Sequence, residues 1–135
     1  MGLSKYKGNL AEAKVLTFLV KQGCNVALPW SEDSRYDLIA EKNARFIRIQ
    51  VKYVSPRNGC LYIPLRSSNN WSVIKYKKED VDLIAAYNPE NDKIYFVPLS
   101  DFRNTATINL RIKRTKNNQK SNVVLAKRFE NKFVI

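Results

Sequence analysis

Histidine is absent from this chain of 135 residues. Its absence excludes hydrolases that rely on an imidazole base, zinc sites with histidine ligands and nucleases built on a catalytic histidine. Catalysis would have to come from carboxylates, lysine, hydroxyls or a hard metal ion held by oxygen. The only two cysteines, Cys24 and Cys60, fit neither a zinc-ligand spacing nor a disulfide framework, and read as free thiols in a reducing compartment. The four glycines, Gly2, Gly8, Gly23 and Gly59, are isolated, so no glycine-rich phosphate loop is present. No apolar run approaches the roughly 20 residues that span a bilayer. The opening Met-Gly-Leu-Ser-Lys-Tyr-Lys-Gly has neither the apolar stretch nor the cleavage site of a secretion signal. The expectation is a soluble, cytoplasmic protein with no membrane partner.

Acidic residues are also scarce, 12 against 24 Lys and Arg, for a net charge of +12. The excess is uneven. Residues 102–135 hold nine bases and one acid, Glu130, a net of +8 and two-thirds of the total. A polyanion is the natural partner, because each phosphate neutralised by Lys or Arg releases condensed counterions. A basic surface that serves only solubility is the other reading; acidic lipid fits less well, since no amphipathic basic helix is evident. The length suits a single domain. We expect residues 1–100 to form its core and 101–135 a basic extension suited to a polyanion.

Residues 9–22 have helical periodicity and end at Gly23, a residue suited to the position just past a helix. Val15, Leu16, Leu19 and Val20 form the apolar side, with Glu12 on its edge. Strands are expected at 25–28, before Pro29, and at 60–65, 81–87, 93–99 and 106–112, with a further one at 123–126. Ser100 reads as the cap of a short helical turn through Phe102. Phe129 and Phe133 should pack back on the core. These elements give an α/β fold, a mixed sheet of about four strands flanked by helices, with extra β structure.

Residues 35–52 stand out within this pattern. Arg-Tyr-Asp-Leu-Ile-Ala-Glu and Arg-Phe-Ile-Arg-Ile-Gln-Val-Lys are joined by Lys42-Asn43-Ala44, which reads as a hairpin. Alternation puts Gln50 and Lys52 on one face and Ile49, Val51 and Tyr53 on the other. Asp37 would then face Lys52 across the hairpin. Two readings of that pair stand: an ordinary exposed cross-strand ion pair, or part of a site. Glu12 likewise is either a first-turn acid favoured by the helix dipole or a charge that needs a partner at the edge of a buried stripe.

Gly8, Ala11-Glu12, Tyr36-Asp37-Leu38-Ile39 and Arg48-Ile49-Gln50-Val51-Lys52-Tyr53, in this order, resemble the motifs of the PD-(D/E)XK nuclease superfamily. The later Val81-Asp82-Leu83-Ile84 and Tyr95-Phe96-Val97-Pro98 are similar to the branch of small group I intron-encoded homing endonucleases. The resemblance implies a restriction-endonuclease-like core and a Mg2+-dependent DNA endonuclease, Mn2+ substituting. Phosphodiester hydrolysis suits a hard, oxygen-bound divalent ion. Glu12 and Asp37 would be its ligands, with the carbonyl of Val51, while Lys52 would serve the attacking water. Gln50 departs from the family pattern, which has Asp or Glu there in most members, and should lower metal affinity. The homing branch tolerates it.

A double-strand cut by one-strand sites implies a homo-oligomer, a dimer or a dimer of dimers, on double-stranded DNA, and so an association with the nucleoid. Holliday junction resolvases share the core, so a junction substrate is one alternative and a non-catalytic DNA-binding protein another. Candidate DNA contacts are Arg35 and Arg57, then the polar stretch with Arg66, Asn69, Asn70, Trp71 and Lys75, and the basic Arg111, Lys113, Arg114 and Lys116. The 66–71 stretch has equally the make-up of a solvated loop.

Overall fold

One long helix, α1 (Leu3–Lys21), packs across a five-stranded sheet in a computed structural model of the chain. The structure describes residues 1–68, 73–75, 80–102, 105–113 and 123–134, with the backbone alone for 66–68 and 73–75. The strands are β1 (Asn25–Ala27), β2 (Leu38–Lys42), β3 (Arg45–Tyr53), β4 (Cys60–Pro64), β5 (Arg66–Ser68), β6 (Val73–Lys75), β7 (Leu83–Asn88), β8 (Lys93–Pro98) and β9 (Thr107–Arg111). The sheet runs β1-β2-β3-β7-β8; β3 and β7 are parallel, and the other neighbours are antiparallel. β4 pairs with β9 and β5 with β6 as two separate ribbons.

The helix is longer than its sequence suggests, starting at Leu3 instead of residue 9. Gly8 interrupts the propensity at a cost of about 1 kcal/mol. Tertiary contact carries the helix past it: Lys7 is half-buried, with its Nζ 5.5 Å from the centre of the Tyr53 ring. The C-terminus follows expectation. Gly23 takes φ +85°, its N–H donates to the Val20 carbonyl and that of Cys24 to Leu19, which is the Schellman pattern. The buried line is Ala11, Val15 and Leu19, spaced by four. Leu16 and Val20, expected inside, are 36 % and 54 % exposed, because one i, i+4 line and its neighbours Leu10 and Phe18 suffice to cover the sheet.

Each face of the sheet has its own core. On the α1 side Leu38, Ala40, Ile49, Val51, Ala85 and Phe96 meet the helix. On the other, Ile84, Ala86, Tyr95 and Val97 meet Leu61 and Ile63 of β4 and Ile108 and Leu110 of β9, closed by Ala126 and Phe129. β2 and β3 join through a two-residue turn, Asn43 and Ala44, both at positive φ (53° and 61°), which matches the strand twist.

The expected α/β fold with a mixed sheet is what the chain adopts: the sheet has five strands, and α1 is the one α-helix among the described residues, since the crossover from β3 to β7 contains the β4–β6 strands. Two further expectations are corrected. Ser100 lies inside a 3-10 turn, Leu99–Asp101, whose preceding residue is Pro98 and which has no side-chain cap. Residues 123–126 do not form a strand: Leu125 makes a single bridge to Arg111, and a 3-10 turn, Ala126–Arg128, follows. No described helix is long and apolar enough to cross a membrane.

Candidate active site

The β2–β3 ladder ends at the pair Leu38↔Ile49, and the site forms in the gap beyond it. Asp37 stands just before β2. Its N–H donates to the Ile49 carbonyl (2.8 Å), and its Oδ2 accepts the N–H of Val51 (2.8 Å), so the side chain replaces the strand residue that Val51 lacks. A strand residue turns its N–H and C=O to the same side, so the Val51 carbonyl is directed to the side where Asp37 stands. The register sets Asp37 opposite Gln50. Lys52, expected across from Asp37, lies two residues further along β3 and reaches it as a nearby charge.

Glu12, half-buried beside Ala11 on α1, brings its carboxyl to within proton-sharing reach of Asp37. Burial pushes both carboxyls above the ordinary range. The repulsion of Asp37 adds to the rise at Glu12, while the Val51 N–H and then the Lys52 charge restrain it at Asp37. Gln50 and Lys52, both half-buried, lie on the sheet face away from α1. Among the described residues no three Asp, Glu, Cys or His side chains gather into one group. As a donor set, Glu12, Asp37 and the Val51 carbonyl would offer hard oxygens only. Such a set fits an ion of the Mg2+ type, which is held by one or two carboxylates and keeps most of its waters.

The sequence profile of the PD-(D/E)XK endonucleases matches residues 3–132. The chain belongs to this family. No curated protein sequence is significantly similar to it. The solved structure of a bacterial homing endonuclease, I-Ssp6803I, superposes with a TM-score of 0.75 at 22 % identity, over 96 % of this chain and 89 % of that one. That likeness is one of fold.

In this PD-(D/E)XK endonuclease the strand that carries Gln50 and Lys52 is anchored by a pair that sequence reading missed. Arg48 forks onto Asp82, Nε to Oδ2 at 3.1 Å and an Nη to Oδ1 at 2.9 Å, and its own N–H donates to Oδ2. The Asp82 N–H returns to the Arg48 carbonyl (3.0 Å), fixing β7 beside β3. The Arg48 guanidinium holds the Asp82 carboxyl below its usual value. The available signal was Arg48 itself, on the Gln50–Lys52 face by alternation, with Asp82 heading the apolar run of the next core strand.

The candidate DNA contacts separate into groups. Arg57 is exposed and stacks on Tyr62 of β4, 4.9 Å from the ring centre. Nearby, Arg111 donates to the carbonyls of Asn58 (3.2 Å) and Lys113 (3.0 Å), and Lys113 is exposed. Arg57, Arg111 and Lys113 therefore gather at one end of the β4–β9 ribbon, a grouping that spacing alone did not reveal. Arg35 is half-buried in the loop leading to Asp37. Arg66 and Lys75 pair across β5 and β6. Asn69, Asn70, Trp71, Arg114 and Lys116 lie outside the described residues.

Proposed function

We propose that this endonuclease cuts DNA with a bound divalent ion, Mg2+ or Mn2+ in its place, and that it is a sequence-specific enzyme of the homing type making double-strand cuts. The observation that carries the reading is the Glu12–Asp37 pair, two carboxyls folded against each other at a cost that a cation would reverse. Glu12, Asp37 and the Val51 carbonyl would hold the ion. When bound, it polarises a phosphoryl oxygen and acidifies water. Lys52 orients the attacking water and offsets the charge that develops on the phosphoryl group. Gln50 contributes a neutral oxygen where a carboxylate would bind the ion more strongly.

Arg57, Arg111 and Lys113 fit contacts to phosphates, and the two-stranded β4–β9 ribbon is of a size that a major groove admits. The likeness to the homing endonuclease I-Ssp6803I supports the homing character, together with the group I intron branch that the sequence resembles. One such site cuts one strand, so a double-strand cut calls for a symmetric homo-oligomer. Residues 1–100 would form the catalytic core and 101–135 the extension that contacts DNA and a second copy.

Plasmid cleavage in Mg2+ tests the reading. Wild type should nick and linearise the plasmid, while Asp37→Ala and Lys52→Ala should lose about a hundredfold or more of the rate. Equal, residual activity in all three proteins would remove the nuclease reading and leave a DNA-binding protein. Preference for a four-way junction over linear duplexes, whatever their sequence, would replace homing with junction resolution.

A further inference from the structure

A cavity of about 360 Å³ opens where the β3–β4 turn, the β7–β8 turn and the end of the β4–β9 ribbon meet. Its lining includes Pro56 and Gly59 from the first, Asn88 and Glu90 from the second, and Ile112 and Lys113 from the third. The volume is that of a small-ligand site. Asn88 is the one buried polar side chain among the described residues, 2 % exposed. Its Oδ1 accepts the Glu90 N–H (3.0 Å), while its amide nitrogen, a donor of two hydrogens, has no protein partner among the described residues. Of those residues only Thr105 has a polar side-chain atom sealed off without a hydrogen bond, so the Asn88 nitrogen is open to the cavity it lines. Glu90 and Lys113 are both exposed and line the same cavity without forming an ion pair.

The cavity lies close to the candidate active site. Alternation gives Asn88 the sheet face of Ile84 and Ala86, and Lys52 pairs with Ala86. Asn88 stands two residues further along β7, a rise of roughly 7 Å. Arg111, donating to the carbonyls of Asn58 and Lys113, adds a second cation at the rim. The lining thus offers a carboxylate acceptor, an amide N–H donor, apolar contact from Pro56 and Ile112, and cations outside. A base joined to a phosphate matches that set. A carboxylate can accept two adjacent N–H groups at once. Among the DNA bases guanine alone presents such a pair, N1–H beside the N2 amine, with the acceptor O6 next to them. We propose that this cavity binds an unpaired guanine by its Watson–Crick edge. Glu90 accepts from N1–H and the N2 amine, Asn88 donates to O6, and Lys113 and Arg111 meet the nucleotide's phosphate. The guanine comes from a free nucleotide or from a DNA strand whose base has left the stack, which costs a few kcal/mol. The second source rests on the DNA-cutting reading.

Amide NMR spectra of the full chain in EDTA test the assignment. Added dGMP should move the Asn88 side-chain signals and the Gly59 and Ile112 backbone signals saturably, and dAMP and deoxyribose phosphate should bind at least about tenfold more weakly. Glu90→Ala should weaken dGMP by about tenfold or more. Asn88→Asp keeps the oxygen that the Glu90 N–H needs, removes the amide donor and should do the same. Thermal melts show whether each variant folds, and the exposed Glu90 keeps the test open should Asn88→Asp not. An oligothymidylate with one central guanine that binds more tightly than dGMP would make a DNA strand the source, and one that binds more weakly a free nucleotide; both support the site. Cavity signals unmoved by dGMP, equal binding of dGMP and dAMP or deoxyribose phosphate, or undiminished binding by Glu90→Ala would overturn it. Nothing is cut in these measurements. An active wild type that ignores dGMP would therefore cost only the cavity, and an inactive one that binds it only the nuclease reading.

Discussion

Replacing Glu12 with Gln keeps the length of the side chain and removes one charge from the pair with Asp37. Without metal, the folded chain holds the two carboxyls together, and burial first, then the charge of Asp37, raises the Glu12 carboxyl above its usual value. A carboxyl raised on folding keeps its proton longer in the folded chain than in the unfolded one. Stability therefore falls as pH climbs from the unfolded value through the raised one, and the full penalty is present above it. For one carboxylate beside another, still partly in water and so screened, the scale is about 1 kcal/mol at most. In a chain of this size that corresponds to about 3–5 °C in Tm. Thermal melts followed by circular dichroism in EDTA should show Glu12→Gln melting higher than wild type at pH 8 and level with it at pH 4. Saturating Mg2+ should reverse the order at pH 8, since an ion at a hundredfold its Kd adds about 2.7 kcal/mol to wild type. The variant has lost a donor and should respond less. A variant that melts at or below wild type at pH 8 in EDTA, or that responds equally to Mg2+, would refute the reasoning.

Asp82→Asn removes the forked contact to Arg48 and should cost about 1 kcal/mol at pH 7 by urea unfolding, a modest figure because both side chains are about one-third exposed. The Asp82 carboxyl is lowered on folding, so its contribution is present above the unfolded value and lost as pH falls through the lower folded one; the variant and wild type should converge once the pH lies below the ordinary carboxylate range. Gln50→Glu should tighten Mn2+ binding by roughly tenfold in calorimetry, through the extra ligand charge, and lower the metal-free Tm. Gly59→Ala forces a side chain into φ +74°, with its Cβ 3.1 Å from the Cβ of Lys113, and should cost about 1–2 kcal/mol in chemical denaturation.

The legible parts of this fold were those whose cause is local. Gly23 ends α1 because its left-handed backbone completes the helix cap, and any sequence with a lone glycine after such a periodic run signals it. β7 and β8 were legible because Asn88-Pro89-Glu90-Asn91-Asp92 separates two apolar runs with residues that favour turns. The β2–β3 hairpin was legible for the same reason. The start of α1 was not, because Gly8 argues against a helix there and the contact of Lys7 with Tyr53 is a tertiary one. Nor was the pairing of β4 with β9, whose partners Cys60 and Arg111 are joined by a long stretch of chain with other strands in it. Of the candidate site, the residue types and their order could be read directly. The registry could not: a slip of two residues separates an Asp37 opposite Lys52 from the observed Asp37 opposite Gln50, and hydrophobic alternation is blind to a slip of two.

That registry explains why a carboxylate stands at position 37 at all. β2 starts two residues too late to pair with Val51, which leaves a strand N–H and C=O without a cross-strand partner, and a buried N–H left unmet is costly. Asp37 meets the N–H with its Oδ2, while the carbonyl, turned to the same side, becomes a donor for a cation. The missing strand partner thus demands the carboxylate and supplies the third oxygen. Gln50, opposite Asp37, then sets a balance. A carboxylate there would place a third negative charge near Glu12 and Asp37, strengthening the hold on a cation and raising the cost of folding without one. The neutral amide gives up metal affinity and spares the metal-free chain. Glu12→Gln and Gln50→Glu should therefore shift the chain in opposite directions along one line, the first towards stability without metal and the second towards affinity for it. Two variants that moved both properties in the same direction would show that Gln50 stands outside the site.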